Sequence, residues 1–507
     1  MSKIKSLYIL SSVTVLSSLN IVSARNPKPN ILFVISDDQS YSYEATDGKK
    51  MAQTPGYDFV AKHGIEFHNA FVTSPGSSPS RASMLTGRFP WSIEQAGTHA
   101  SSFPSQYICF PDVLQKQGYH IGFTGKGWGP GNWEVSGRTQ NPAGPEYNAY
   151  KLIPPFTRIS DKDYVANFEY FLSKKSESQP FCFWFGAHEP HRVFEKDAWV
   201  KAGKMLNEAI VPPFLPEVDV VKGDILDYIV EIEYYDSHLV KMIQLLKERG
   251  ELDNTIIVVT SDNGMAFPHA KSNLYESGIH VPLAICWGSE IPEAKVTDEL
   301  FSMVNIAPTL LEACEVKMEG DYAEQGKSFW KQIASKSKFK GEKGVFSGRE
   351  RHSSARFNNQ GYPMRAIRTN RYLLIRNFHP DRYPAGDPFM LNNENQIDKT
   401  KFIYADIDDS PTKRFLIENS DVGELERFYN AAVQKRPEYE LYDILNDPGC
   451  MVNLATVKHH QRTLNKLARN LNEKLKLTGD PRTSDNPEIW ESYPRLDGPE
   501  RVFPYSK

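Results

Sequence analysis

Cysteine is scarce in this chain, charge of neither sign dominates it, and long apolar runs are missing. The 507 residues include five cysteines, an odd number without metal-type spacing at Cys109, Cys314 and Cys450. That argues against a disulfide framework and a zinc site, although a single bridge stays open. Cys182 and Cys286 sit inside the apolar runs FCFWF and LAICW and read as buried thiols. Lysine plus arginine number 59 and aspartate plus glutamate 63, for a net charge of −4. This excludes a general polyanion binder such as a DNA-binding protein. An anionic substrate would have to be held by a local cationic pocket. Past the first residues no segment reaches the ~18 apolar residues of a membrane span, so no stable membrane insertion is expected. There is no short-period repeat and no long low-complexity tract. The charged, aromatic-rich stretch 385–440 reads as an insertion.

What is present begins with a leader. Lys3 and Lys5 precede a short apolar and Ser-rich run from Leu7 to Leu19, and Val22-Ser23-Ala24 supplies small residues for cleavage. Residues 1–24 are therefore expected to be a signal peptide, with export to the periplasm or beyond; the competing reading is a buried N-terminal strand. Loss of the two lysines moves the charge from −4 to −6. The remainder is long enough for one large domain and one smaller one. We place the boundary near 345, giving a large domain over 25–345 and a C-terminal domain over 346–507.

Four short apolar runs have the look of strands buried on both faces: Asn30–Ser36, Tyr119–Thr124, Phe181–Gly186 and Thr255–Ser261. Helical segments separate them. The clearest spans Asp224–Arg249, with Leu226, Ile229, Ile232, Tyr235, Leu239, Met242 and Leu246 at three-to-four-residue spacing and Gly250 as a stop. The alternation predicts an α/β fold: a large, mostly parallel sheet with helices on both faces. After about 345 the texture changes. Met364–Asn377 reads as two strands joined by a tight turn, Glu440–Asp443 as a further strand and Val457–Leu477 as a terminal helix, hence an α+β domain with an antiparallel sheet.

The residues that follow the strands carry the chemistry. Asp37-Asp38 follow the first, Lys126 the second, His188 the third and Asp262-Asn263 the fourth. Open α/β sheets bind ligands outside the carboxyl ends of their strands. One polar residue there is usually a loop cap; four together are hard to explain that way. Asp37, Asp38, Asp262 and Asn263 offer hard oxygen ligands suited to Ca²⁺ or Mg²⁺. Ser77-Ser78-Pro79-Ser80-Arg81, continuing to Leu85-Thr86-Gly87-Arg88, places Ser77 at a helix N-terminus with Pro79 in its first turn and Arg81 one turn on. Such a position favours an anion; taken alone, a simple helix cap would explain it as well.

Ser77-x-Pro79-x-Arg81 with Thr86-Gly87-Arg88 resembles the signature of type I sulfatases, a branch of the alkaline phosphatase superfamily. Asn30–Asp38, Gly118-Tyr119 to Lys126, Ser261–Gly264 and Glu440–Leu454 resemble further parts of that family's pattern. The resemblance implies an alkaline-phosphatase-like fold and oxidation of Ser77 to formylglycine, whose hydrate supplies the nucleophile. It implies a divalent ion on Asp37, Asp38, Asp262, Asn263 and residue 77 itself. It further implies sulfate contacts from Arg81, Lys126 and Lys271, and His188 as the acid that protonates the leaving atom. A serine at position 77 implies a radical-type maturation enzyme as partner, and so a bacterial source. One departure stands out. Family members commonly carry Lys-x-His after the second strand, where this chain has Lys126-Gly127-Trp128, and an indole cannot act as a base. His99 is a candidate replacement; a surface histidine is an equal reading.

Phe185–Arg192 (FGAHEPHR) and Phe267–Pro282 (FPHAKSNLYESGIHVP) resemble the N-sulfoglucosamine sulfohydrolase subgroup, as do Gly348–His352 and Tyr362–Arg365. The resemblance implies a sulfated saccharide substrate contacted by His99, His191, Arg192, Glu350, Arg351 and His352. Two readings of the last cluster stay open, a hexosamine-reading pocket and an interdomain ion-pair network. Other functions also stay open: an O-sulfatase on another glycan, a phosphodiesterase or phosphonate hydrolase on the same fold, and a glycan-binding protein with unmodified Ser77.

Overall fold

The computed structural model describes residues 28–41, 51–288, 290–318, 324–389 and 403–496. The expected leader lies outside the described residues. In chain order the strands are β1 (Asn30–Ser36), β2 (Gly64–Phe67), β3 (Ala70–Phe71), β4 (His120–Gly125), β5 (Phe181–Gly186), β6 (Thr255–Ser261), β7 (His280–Val281), β8 (Leu283–Cys286), β9 (Lys295–Thr297), β10 (Phe301–Ser302), β11 (Val345–Arg349), β12 (Met364–Arg368), β13 (Tyr372–Asn377) and β14 (Tyr439–Asp443). The main sheet runs β4-β5-β1-β6-β8-β2-β9. Its first four strands are mutually parallel; β8 is antiparallel to both β6 and β2. The fold is thus mixed α/β with a mostly parallel sheet.

Side chains along β1 show why such strands read as unbroken apolar runs. Ile31, Phe33 and Ile35 join one core with Ala82, Met84, Leu85, Phe110 and Leu114. Leu32 and Val34 join the opposite core with Tyr235, Leu239 and Met242 of the long helix Asp219–Glu248. The period of two sends alternate residues to two dry faces, so both sets must be apolar. The long helix starts five residues before the point its apolar spacing marks, because its first five residues, Asp219–Gly223, bury only Val221.

A separate antiparallel sheet, β11-β12-β13-β14, is built from residues after Val345. The helix Gln461–Leu477 covers it with Leu467, Leu471 and Leu475, spaced four apart, against Ile367, Leu374 and Leu441. The described part of the stretch 385–440 folds into helices Pro411–Glu418 and Glu426–Val433. Their Leu416 and Phe428 pack on Ile225, Leu226 and Ile229 of the long helix. All five cysteines are buried and free, so the bridge left open by the sequence does not form. Among the described residues no helix is long and apolar enough to cross a membrane.

Candidate active site

Four parallel strands end on one edge, and each delivers a polar side chain there. Asp37 and Asp38 leave β1, Lys126 leaves β4, His188 leaves β5 and Asp262-Asn263 leave β6. The exits are held together by backbone. Asp37 N–H donates to Glu189 C=O at 2.9 Å and Lys126 N–H to Gly186 C=O at 2.7 Å. Gly125 must be glycine: its φ is +76° and a Cβ would stand 1.9 Å from Gly186 O.

Ser77 is the first residue of the helix Ser77–Thr86, whose ten residues are all buried and whose end is closed by Gly87 in the left-handed region. Its Oγ donates to Asp37 Oδ1 at 3.0 Å. One turn on, Arg81 donates through Nε to Asp262 Oδ2 at 2.8 Å and through a terminal nitrogen to Lys126 C=O at 2.9 Å. Its other terminal nitrogen is buried without a hydrogen-bond partner among the described residues, 3.8 Å from Asp37 Oδ1. Lys126 Nζ donates to Asp37 Oδ2 at 2.5 Å, and Lys271 Nζ donates to Asp38 Oδ2.

Asp37, Asp38 and Asp262 each bring an oxygen within 4.8 Å of the others. Asn263 donates its amide N–H to Asp38 Oδ1 at 2.6 Å, which leaves its own Oδ1 buried and without a hydrogen-bond partner among the described residues. An orphaned amide oxygen beside three buried carboxylates is the donor set of a hard divalent cation. The electrostatics agree. Burial and the neighbouring Asp37 push the Asp262 carboxyl above its ordinary range. Burial opposes ionisation of Asp37 too, but Lys126, His191 and Arg81 hold it well below that range. Repulsion of this kind is what a bound cation relieves.

These groups open into a cavity of about 910 Å³ that is lined by Asp37, Ser77, His99, Lys126, His188, His191, Arg192, Lys271 and His352. His188 Nε2 is buried and makes no hydrogen bond among the described residues. Burial first, then the charge of Lys162, lowers its pKa to about 3, so the ring stands neutral at pH 7. Trp128 takes no part: it is buried, gives its Nε1–H to Ser78 C=O at 3.0 Å and packs edge-on against Phe103. His99 does reach the cavity, its ring 4.2 Å from that of His352, and burial keeps both rings neutral. His352 Nδ1 stands 3.3 Å from where a Cβ on Gly76, the cap of the Ser77 helix, would be.

The remaining sequence candidates fall in different places. Arg192 edges the cavity, but its guanidinium is committed to Asp224 at 2.7 and 2.8 Å. Glu350 and Arg351 do not line the cavity. Glu350 is buried between Arg365 and Arg482, each at 2.7 Å, and Arg365 continues to Asp480 at 2.6 Å. Arg351 donates to Tyr493 C=O at 2.8 Å. Of the two readings left open, this geometry is that of an ion-pair network tying β11 and β12 to the C-terminal segment. Arg158, Lys162, Asp408 and Arg495 also line the cavity. No motif marked them; they come from loops without periodicity.

The sulfatase family model matches residues 29–316. A second model, described as N-sulphoglucosamine sulphohydrolase, C-terminal, matches residues 268–393. The chain belongs to the sulfatase family, and is therefore a hydrolase of sulfate esters or sulfamates. It is similar to an ulvan-active sulfatase of Formosa agariphila, 27% identical over 89% of this chain and 76% of that protein. It is also similar to N-sulphoglucosamine sulphohydrolase of Homo sapiens, 24% identical over 89% of this chain and 91% of that protein. A solved structure in complex with its substrate D-glucosamine-2-N,6-O-disulfate shares the fold, with a TM-score of 0.63 at 20% identity, covering 91% of this chain and 99% of that one.

The burial of Glu350 generates a prediction. Glu350→Ala leaves Arg365 and Arg482 without a shared buried counter-charge, which should cost about 3–5 kcal/mol of stability. Urea unfolding measures it; a loss under ~1 kcal/mol with a weakened KM for saccharide would return Glu350 to the substrate.

Proposed function

We propose that this sulfatase removes the N-sulfate of glucosamine at the non-reducing end of heparan- or heparin-type fragments, as an exported bacterial enzyme. Ser77 would be converted to formylglycine by a radical-type maturation enzyme, and a calcium ion, with magnesium as the alternative, would be held by Asp37, Asp38, Asp262, Asn263 and residue 77. The observation that carries the substrate is the match of the N-sulphoglucosamine sulphohydrolase C-terminal model over 268–393, the segment that supplies Lys271 and His352.

The chain's own residues would act as follows. Residue 77, as the aldehyde hydrate, presents a hydroxyl beside Asp37 at the N-terminus of a helix. The cation, when bound, would polarise the sulfate and acidify that hydroxyl. Arg81, Lys126 and Lys271 neutralise the sulfate oxygens. The three carboxylates and these three cations already balance, so a divalent ion leaves positive charge for an anionic substrate. His188 gives a proton to the leaving nitrogen; the sulfate's negative charge beside it raises the affinity of its ring for that proton. His99, with His191 and His352 beside it on the wall, stands where a base could replace the histidine that Trp128 displaces.

A second reading has its own support: the similarity to ulvan-active sulfatases favours an O-sulfatase on an algal polysaccharide. Matured enzyme, with formylglycine at position 77 verified by peptide mass, decides between them. Sulfate release from N-sulfoglucosamine is expected; release only from glucosamine 6-sulfate or from ulvan fragments would replace this reading. Ser77→Ala should abolish turnover while the protein stays folded. His188→Ala should lower kcat/KM on N-sulfoglucosamine by about 100-fold or more, and less on an activated aryl sulfate, since an amine needs protonation more than a phenol does. Equal losses would remove His188 as the proton donor.

The metal site predicts a further outcome. Adding calcium should raise the unfolding temperature, because an ion bound only to the folded state stabilises it by mass action. In Asp262→Asn the increase should largely disappear. Calorimetric scans with and without calcium test this; identical curves for the unsubstituted protein would refute the site.

A further inference from the structure

We propose that Asp408 is a specificity-determining residue that accepts hydrogen bonds from ring hydroxyls of the substrate, a role that rests on the saccharide reading above. Asp408 lines the cavity that contains Ser77. Its Oδ2 is shielded from solvent and has no hydrogen-bond partner among the described residues. The nearest ion-pair partner, Lys271 Nζ, lies 3.6 Å away, beyond hydrogen-bond length, and is committed to Asp38. Burial opposes its charge, but Lys271, His191, Arg192 and Lys413 keep the carboxyl below its ordinary range. The cavity therefore holds an ionised acceptor with lone pairs to spare.

A fixed negative charge is adverse where an anion must bind, so its ligand lies elsewhere on the substrate. A cation is the wrong ligand at this point, because Lys271 Nζ already stands 3.6 Å from the carboxylate and offsets its charge. Neutral donors remain, and a sugar ring carries several.

The loop is built to hold this side chain still. Two residues earlier, Asp406 is buried and accepts from Arg356 at 2.7 Å, from Arg349, and from the backbone N–H and hydroxyl of Ser353 at 2.9 and 2.7 Å. From the other side Lys413 Nζ donates to the carbonyls of Ile403, Tyr404 and Ile407 at 2.7, 3.0 and 2.8 Å. An acceptor pinned on both sides loses little freedom when a ligand arrives.

The test uses matured full-length enzyme with N-sulfoglucosamine, glucosamine 6-sulfate and 4-nitrophenyl sulfate, whose ring bears no hydroxyl. Asp408→Ala should lower kcat/KM on the saccharide that the wild type cleaves on the order of 100-fold, mainly through KM. That loss should exceed the loss on nitrophenyl sulfate at least tenfold. Asp408→Asn, which keeps the shape and one acceptor, should fall between and controls for misfolding. A 3-deoxy or 4-deoxy analogue should cost the wild type a similar factor and cost Asp408→Ala little more. Equal losses on saccharide and aryl sulfate would show that Asp408 only tunes Lys271; an unchanged saccharide KM would also overturn the proposal. Turnover of nitrophenyl sulfate with no release from either saccharide would remove the saccharide reading, and this inference with it.

Discussion

Burial of like charges at one point governs the rest of this molecule. Asp37, Asp38 and Asp262 are almost wholly removed from solvent within 4.8 Å of one another. Isolated carboxylates cannot be buried so at tolerable cost. Each therefore has a cation in contact: Lys126 on Asp37, Lys271 on Asp38 and Arg81 on Asp262. Those three cations come from a strand end, a loop after β6 and a helix. Bringing them to one place requires the order β4-β5-β1-β6 and a helix N-terminus packed across it. The sheet order and the site are thus two views of one constraint.

The C-terminal third closes the site without touching its carboxylates. Its ion pairs stitch distant segments: Glu350 joins Arg365 to Arg482, and Asp406 joins Arg349 to Arg356. From this scaffold His352 and Asp408 reach the cavity. The division follows a general pattern, in which a rigid sheet edge carries the reacting groups and connecting segments shape the space around them.

Much of this was legible in the sequence because the physics was local. The strands appeared as apolar runs, since both faces of β1 are dry, and the residues following them stood out as polar in an apolar context. The Ser77 segment was legible because proline and arginine have fixed meanings near a helix start. The end of the long helix was marked by Gly250, but its first turn, Asp219–Gly223, buries only Val221, too little to set a spacing that reveals it. The cavity walls were not legible. Asp408, Arg158 and Lys162 sit in loops whose course depends on distant anchors, such as Lys413 gripping three carbonyls. Glu350 shows the converse: its charge reads equally as a ligand contact or a buried pair, and only Arg365 and Arg482 on either side of it separate the two.

The complete burial of the Ser77 helix has a consequence in time. All ten of its residues are covered, Ser77 itself is 3% exposed, and His352, from the loop that follows β11 more than 250 residues later in the chain, leans on its cap. An enzyme that must grip this segment as extended polypeptide finds no handle once β11 has docked. If activity rests on oxidation of Ser77, as proposed above, that step has to win a race against folding, and a molecule that folds first would stay inactive for as long as its native state lasts.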